Sequence, residues 1–293
     1  MTSPALTLWP GLAPLASRYD VFLIDLWGVI HDGVRPYPGA CDALERLKAA
    51  GRATVLLSNA PRRSRALVEI MEKMGIPRSS YTEILTSGEV VYQGLRDRTS
   101  PPYAGLGPSL FFIGQDRDAN LFEGLSYRRV GDPGEADFVL TAGPFDLSDA
   151  IGAYEALCAR CAGLGLPMIC ANPDREAIRD GQRVICAGTI ADLFVAKGGR
   201  AEFVGKPGAA VYARALDTVG AADKGRAVGV GDSLVTDIAG CVAAGIDGVL
   251  VTGGIHAERL GIVRGETAPA ERIAALAAEY GAAPVGAIPA FVW

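Results

Sequence analysis

Val21-Phe22-Leu23-Ile24-Asp25-Leu26-Trp27-Gly28 is the stretch that decides the fold. A short, fully apolar run ends in a carboxylate and then a Trp-Gly turn. Such a run suits a strand buried on both faces, as in a parallel sheet covered by helices. Working outward, Pro38-Gly39 leads into a helix-period stretch at Ala43, Leu44, Arg46, Leu47 and Ala50, stopped by Gly51. A second strand at 53–57 ends in Ser58-Asn59-Ala60-Pro61, and a helix over about 63–74 ends before Gly75. Strand, helix, strand, helix is the alternation of an α/β chain. In such sheets, functional groups gather just beyond the carboxyl ends of the strands, where Asp25 and Ser58 both fall.

The same grammar returns near the end of the chain. Residues 227–230 read as a strand leading into Gly231-Asp232-Ser233, followed by a helix through 237–244 that Gly245 stops. Residues 247–251 read as a further strand before Thr252-Gly253-Gly254. Between the halves lie strands at 110–113, 136–140 and 168–171, with a helix from about 149 to 164. The expected organisation is a core of residues 1–88 and 198–293, with 89–197 inserted as a second α/β domain.

Composition narrows the chemistry. The chain has 293 residues, 49% hydrophobic and 21% charged, so it can bury a large core without staples. Its net charge of −5 and lack of a long basic run disfavour a nucleic-acid partner. With two histidines, His31 and His256, multi-histidine metal sites are disfavoured and a Ser-His-Asp triad is left a narrow route. Six cysteines follow no small secreted framework, which fits a reducing cytosol. No run approaches the roughly 18 apolar residues of a membrane span, and the first ten residues lack a signal peptide's basic start. The expectation is a cytoplasmic protein without a membrane partner, with a homo-oligomer left open.

Asp25, Ser58, Lys206 and Asp232 are the residues with chemistry to offer. Three follow predicted strands, and Lys206, in Gly205-Lys206-Pro207, precedes a predicted helix at 209–216. One sheet edge would bring together a carboxylate nucleophile, a hydroxyl, a cation and a second carboxylate. That set suits phosphoryl transfer, where positioning and charge neutralisation do most of the work. Acidic oxygens with a backbone carbonyl and waters suit Mg²⁺.

Asp25-Leu-Trp-Gly-Val-Ile-His-Asp-Gly33, Leu57-Ser-Asn59, Gly205-Lys-Pro207 and Gly231-Asp-Ser-Leu-Val-Thr-Asp237 resemble the four ordered motifs of the haloacid dehalogenase superfamily. Ile84-Leu-Thr-Ser-Gly88, Ala171-Asn-Pro-Asp174 and the Gly-Asp-x-x-x-Thr-Asp form of the last motif resemble subfamily IIA, the NagD-like and p-nitrophenyl phosphatases. The resemblance runs from about residue 18 to 260. It implies a doubly wound, Rossmann-like parallel core with an inserted α/β cap. It also implies a Mg²⁺-dependent phosphohydrolase acting on a small phosphate ester of the sugar or nucleotide class. Asp25 would carry an aspartyl-phosphate, Ser58 would hold a phosphoryl oxygen, and Lys206 would offset charge. Metal contacts would come from Asp25, the Trp27 carbonyl, Asp232 and, in support, Asp237. Substrate contacts would come from Asn59 and, in the cap, from Asn172 and Asp174.

Trp27 departs from the family's Asp-x-Asp, whose second Asp protonates the leaving oxygen. General acid–base catalysis is worth about 10²–10⁴-fold, so an alkoxide leaving group loses help that a phenolate does not need. Two further readings therefore stay open: a weak or silent protein that binds a phosphorylated ligand or partner, and phosphonate-type chemistry that needs no leaving-group acid. His31 and Asp32 are candidate substitute acids, against a plain polar turn. Arg62 and Arg63 are candidate anion contacts, against a solvated helix start. Cys158-Ala-Arg-Cys161 fits a buried helix face better than a zinc site with Cys170 and Cys186. Gly229-Val-Gly231 lacks the third glycine of a dinucleotide loop. Residues 271–280 read as an amphipathic helix, and the apolar end Ala290-Phe-Val-Trp293 suits packing on the core or on a partner chain.

Overall fold

The computed structural model describes residues 6–179 and 182–293. The chain forms two compact units: Met1–Ser58 with Val68–Leu85 and Lys206–Trp293, and Asn59–Leu67 with Thr86–Gly205.

In the first unit, the described residues form a seven-stranded sheet in the order Thr7–Leu8, Gly286–Ile288, Asp247–Val251, Ala227–Gly231, Val21–Ile24, Ala53–Ser58, Glu83–Thr86. The pairings from Thr7–Leu8 across to Ala53–Ser58 are parallel. Val21–Ile24 and Ala227–Gly231 are buried at every position, as their unbroken apolar character requires. From Val21–Ile24 the chain first builds the sheet outward on one side, then returns to build it on the other. That reversal makes the carboxyl ends of Val21–Ile24 and Ala227–Gly231 a topological switch point. Register fixes the alignment there: Ile24 lies opposite Leu56 on one side and Val230 on the other. Asp25, Ser58 and Asp232 thus leave neighbouring strands at one edge.

The second unit has a five-stranded sheet in the order Arg200–Phe203, Pro167–Cys170, Phe138–Thr141, Ser109–Ile113, Arg128–Val130, all pairings parallel. An antiparallel pair, Glu176–Arg179 with Gln182–Ile185, lies apart from it. Period-two alternation splits this sheet's side chains between two cores. Phe111, Ile113, Val139, Met168 and Cys170 join one, and Leu110, Phe112, Phe138, Leu140 and Ile169 join the other. Cys158 and Cys161 sit in the first of these, on one face of the helix Glu155–Gly163. Among the described residues no cysteine belongs to a cluster of metal-ligating groups.

Several elements differ from the sequence reading. The helix expected from 149 starts as a tight turn at Ile151–Tyr154 and becomes α-helical at Glu155. Asp149 is held outside it, its carboxylate accepting from Asp146 N and the Tyr154 hydroxyl. The helix expected over 237–244 begins earlier, as a wide turn at Leu234–Ile238. Its Ile238 N–H reaches back to Ser233 O at 3.1 Å, while Ser233 Oγ accepts from Thr236 N. Wide turns of this kind concentrate at functional sites. Thr7–Leu8 and Gly286–Ile288 were too short to show a period. No helix among the described residues is long and apolar enough to cross a membrane.

The apolar end packs on its own unit. Phe291 is buried, Leu12 N donates to Val292 O at 2.8 Å, and the Arg46 guanidinium stands 5.9 Å from the Trp293 ring. Phe291→Ala is expected to destabilise the protein by about 3–5 kcal/mol, the usual range for emptying a core phenylalanine site. Urea denaturation checks this, and an unchanged midpoint would remove Phe291 from the core.

Candidate active site

Asp25 is the first residue past the central buried strand, and its N–H donates to Val230 O at 2.9 Å, which ties it to the neighbouring strand. Lys206 Nζ donates to Asp25 Oδ1 and to Asp237 Oδ1, both at 2.6 Å, and only 3% of Lys206 is exposed. Asp237 Oδ2 accepts from Ser233 N at 3.0 Å, so both its oxygens are taken. The Tyr212 hydroxyl donates to Asp237 O at 3.0 Å from the helix Ala209–Thr218. Asp232 Oδ2 accepts from Ile255 N at 2.8 Å. Ligand oxygens of Asp25, Asp232 and Asp237 lie within 4.8 Å of one another.

Glycines let the carboxylates come this close. A Cβ on Gly28, which has φ +79°, would fall 2.0 Å from Asp232 Oδ2, and one on Gly254 would fall 2.1 Å from it. Only residues without a side chain fit both walls of that slot.

Burial drives the electrostatics. It pushes the Asp25 carboxyl well above the usual range; Asp237 and Asp232 add to the effect, and Lys206 opposes it. Asp232 is pushed up to about 7, first by burial and then by Asp237. Burial also works against the charge on Lys206, but Asp237 and Asp25 overcome it and hold the ammonium well above its ordinary value. Three ionised carboxylates and one ammonium would leave the cluster two negative charges in excess. Asp25 Oδ2 and Asp232 Oδ1 take no hydrogen bond from any described residue. An all-oxygen donor set with that charge deficit fits a hard divalent cation.

The loop after Asp25 is tightly wound. Ile30 N and His31 N both donate to Leu26 O, and Gly28 N donates to His31 O. Trp27 leaves it 40% exposed, with its ring over Gly33 and edge-to-face with His31 at 5.7 Å. His31 is buried rather than solvated; its Nδ1 accepts from Gly33 N at 3.0 Å, and burial pushes the imidazole down to about 4. Asp32 Oδ1 accepts from Val34 N and Arg35 N, the self-capping geometry of a polar turn.

The remaining candidates sit as follows. Ser58 ends its strand in the first unit, half-buried. In the second unit, Asn59 Nδ2 donates to Asp174 Oδ1 at 2.8 Å, and Asp174 N donates to Asn172 Oδ1 at 3.0 Å, joining the three. Arg62 and Arg63 are partly buried and each is paired with a carboxylate. Arg62 Nε pairs with Asp118 at 2.8 Å, and Arg63 makes a forked pair with Glu89 while lying over the Tyr92 ring.

Sequence reasoning passed over Tyr212, Gly254, Ile255 and Arg264. Arg264 Nη2 donates to Gly28 O, and its guanidinium lies 3.4 Å from the centre of the Tyr37 ring. Gly253-Gly254 was visible as a strand stop, and its tightness was the available signal. Nothing local marked Arg264.

Comparison with known proteins identifies the family. Residues 22–128 match the model of the haloacid dehalogenase-like hydrolase family, and residues 203–277 match a HAD-hydrolase-like model. The chain is 30% identical over 239 residues to chronophin of Mus musculus, covering 80% of each protein. A hydrolase of the haloacid dehalogenase-like family from Brucella suis 1330 superposes with a TM-score of 0.82 at 30% identity, over 97% of this chain and 100% of that one. A 4-nitrophenylphosphatase from Thermotoga maritima superposes with a TM-score of 0.66 at 26% identity, over 87% and 94%.

The shared lysine makes a stability prediction. Lys206→Met leaves Asp25 and Asp237 buried without their cation, and breaking a buried pair costs about 3–5 kcal/mol. A drop of that size in urea-denaturation stability is expected; a change below about 0.5 kcal/mol, typical of a surface lysine, would contradict the cluster.

Proposed function

The chain belongs to the haloacid dehalogenase-like hydrolases, and on that premise we propose that it is a Mg²⁺-dependent phosphatase of small phosphate esters that carries the phosphoryl group on Asp25. The observation that carries this reading is the buried cluster in which Lys206 bridges Asp25 and Asp237 beside Asp232. A structure keeps so costly a set of charges most readily where they act on a ligand.

Asp25 attacks phosphorus and holds the phosphoryl group as an acyl phosphate until water releases it. Lys206 orients Asp25 and offsets charge on the phosphoryl oxygens; at about 4 Å and an effective dielectric near 20, one such contact is worth about 4 kcal/mol before desolvation. Ser58 donates to a phosphoryl oxygen. Asp237 anchors Lys206 and the turn after Asp232. Asp25, Asp232 and the Trp27 carbonyl would hold Mg²⁺, which when bound supplies charge against the phosphoryl oxygens. Asn59, Asn172 and Asp174 contribute substrate contacts, and the insert 89–197 selects the substrate. The intact cluster favours hydrolysis over the binding-only reading.

The test is turnover of 4-nitrophenyl phosphate with Mg²⁺, an ester for which one relative is named. Asp25→Asn is expected to lower kcat by at least about 10³-fold, and a variant as fast as the wild type would overturn the reading. Metal binding should also depend on pH. Asp232 must lose its proton to bind a cation, and that proton leaves near pH 7. The apparent Mg²⁺ affinity should therefore fall by at least about tenfold per unit below pH 7, since Asp25, also raised, must ionise too. The Mg²⁺-induced rise in melting temperature should be larger at pH 8 than at pH 6, and absent in Asp232→Asn.

A further inference from the structure

An alkyl phosphate ester needs a proton on its leaving oxygen, and the loop that follows Asp25 has two groups able to handle one. One is buried away from solvent and the other is committed elsewhere. His31 is buried and spends Nδ1 on Gly33 N. Asp32 closes its own turn through Val34 N and Arg35 N and faces Arg35 at 3.6 Å. Asp25, Asp232 and Asp237 belong to the lysine and metal cluster. What the loop presents instead is an indole.

Trp27 lies between Asp25 and Gly28 in the chain, and Gly28 packs directly against the Asp232 carboxylate. Its exposure is not looseness. A Cβ on Gly33 would fall 2.2 Å from Trp27 Cη2, so the ring lies on a glycine that adopts φ +94°. His31 braces the ring edge-on, with planes at 79°. Trp27 and His31 are also joined through a backbone bridge. A large, amphipathic aromatic group is thus held in one place, one residue before the glycine that packs on Asp232, with part of its surface open. Such rings attract other rings in offset or edge-on stacking.

We propose that Trp27 is the specificity-determining residue of this site: a stacking shelf for an aromatic leaving group, which makes the substrates aryl phosphate esters rather than alkyl ones. The proposal rests on Asp25 as the nucleophile. The bond from an Asp25 oxygen to phosphorus forms as the bond from phosphorus to the leaving oxygen breaks, and the bonding pair stays on that oxygen. A phenolate keeps the pair without a proton, whereas an alkoxide does not leave readily without one. Water then adds to the phosphoryl-aspartate, releasing phosphate and restoring the carboxylate. Missing acid and added aromatic surface therefore select the same ester.

The experiment compares 4-nitrophenyl phosphate with benzyl phosphate, which carries a ring but leaves as an alkoxide. Wild-type kcat is expected to favour the nitrophenyl ester by about 10²–10⁴-fold, and Trp27→Asp should narrow that gap by raising the benzyl rate. Trp27→Ala should raise KM for the nitrophenyl ester roughly two- to tenfold with little change in kcat, and Trp27→Phe should restore it. Inhibition by inorganic phosphate should stay as in the wild type. Independently of turnover, 4-nitrophenyl phosphate should quench indole emission in Asp25→Asn protein and fail to do so once Trp27→Phe is added. Equal wild-type kcat on both esters would mean that another group supplies the proton. An unmoved KM, or a quench that survives in the double variant, would remove the shelf. Absence of turnover on every ester would defeat the phosphatase reading instead, and the quench would still decide the role of Trp27.

Discussion

One buried ammonium governs the site. Lys206 lies between Asp25 and Asp237, which would otherwise repel each other in a place with almost no water. Neither a lysine nor a carboxylate is stable alone at that depth, since burial disfavours each charged form. Together Lys206 and its two partners offset one another, Lys206 opposing the burial that still holds the Asp25 carboxyl well above its usual range, and among the described residues no cation forms an ion pair with Asp232. An excess of carboxylates over cations of this kind suits a divalent cation. It is a property of the set, because removing any one member changes the charge state of the others.

The sheet makes the imbalance affordable. Four apolar residues on Val21–Ile24 and five buried positions on Ala227–Gly231 hold the backbone rigid up to the residue before each carboxylate. Parallel register then delivers Asp25, Ser58 and Asp232 to one edge without relying on flexible loops. The reversal of strand order between those two strands opens the crevice there rather than elsewhere along the sheet. The wide turn Leu234–Ile238 adds a local adjustment, swinging Asp237 back so that its carboxylate meets both Lys206 and Ser233 N.

Much of this was legible in the sequence because it depends on strand ends. Unbroken apolar runs announced a parallel sheet, and the polar residue after each run marked the edge. Lys206 was identifiable only through its Gly-Lys-Pro setting and its resemblance to a known motif. The unread parts depend on tertiary approach. Arg264 reaches Gly28 O from a segment more than two hundred residues away, and no periodicity encodes that contact. His31 is buried although its neighbours Asp32 and Gly33 spell a polar turn; the Trp27 ring beside it decides the matter. Arg62 and Arg63 read as a solvated helix start because Asp118 and Glu89, their partners, lie far along the chain. The apolar end was ambiguous for the same reason, and Leu12 and Arg46 resolve it.

The loop Leu26–Gly33 shows how chemistry and stability compete over a few residues. Buried His31 leaves Nε2 without a hydrogen-bond partner among the described residues, a loss of about 1–3 kcal/mol for a buried polar group. A hydrophobic residue of similar volume would avoid it. What the imidazole contributes is a rigid edge against Trp27 and an acceptor for Gly33 N, and these keep an exposed indole in one place. Gly28 gives up backbone entropy so that the Asp232 carboxylate can sit against its Cα. Each local choice lowers stability and fixes either a carboxylate or a ring. Spending stability to fix geometry in this way is expected of a binding surface and has no purpose in a loop that only connects a strand to a helix. That expense falls on Gly28, next to Trp27 in the chain, and on His31, against its ring, and not on the exposed turn at Asp32.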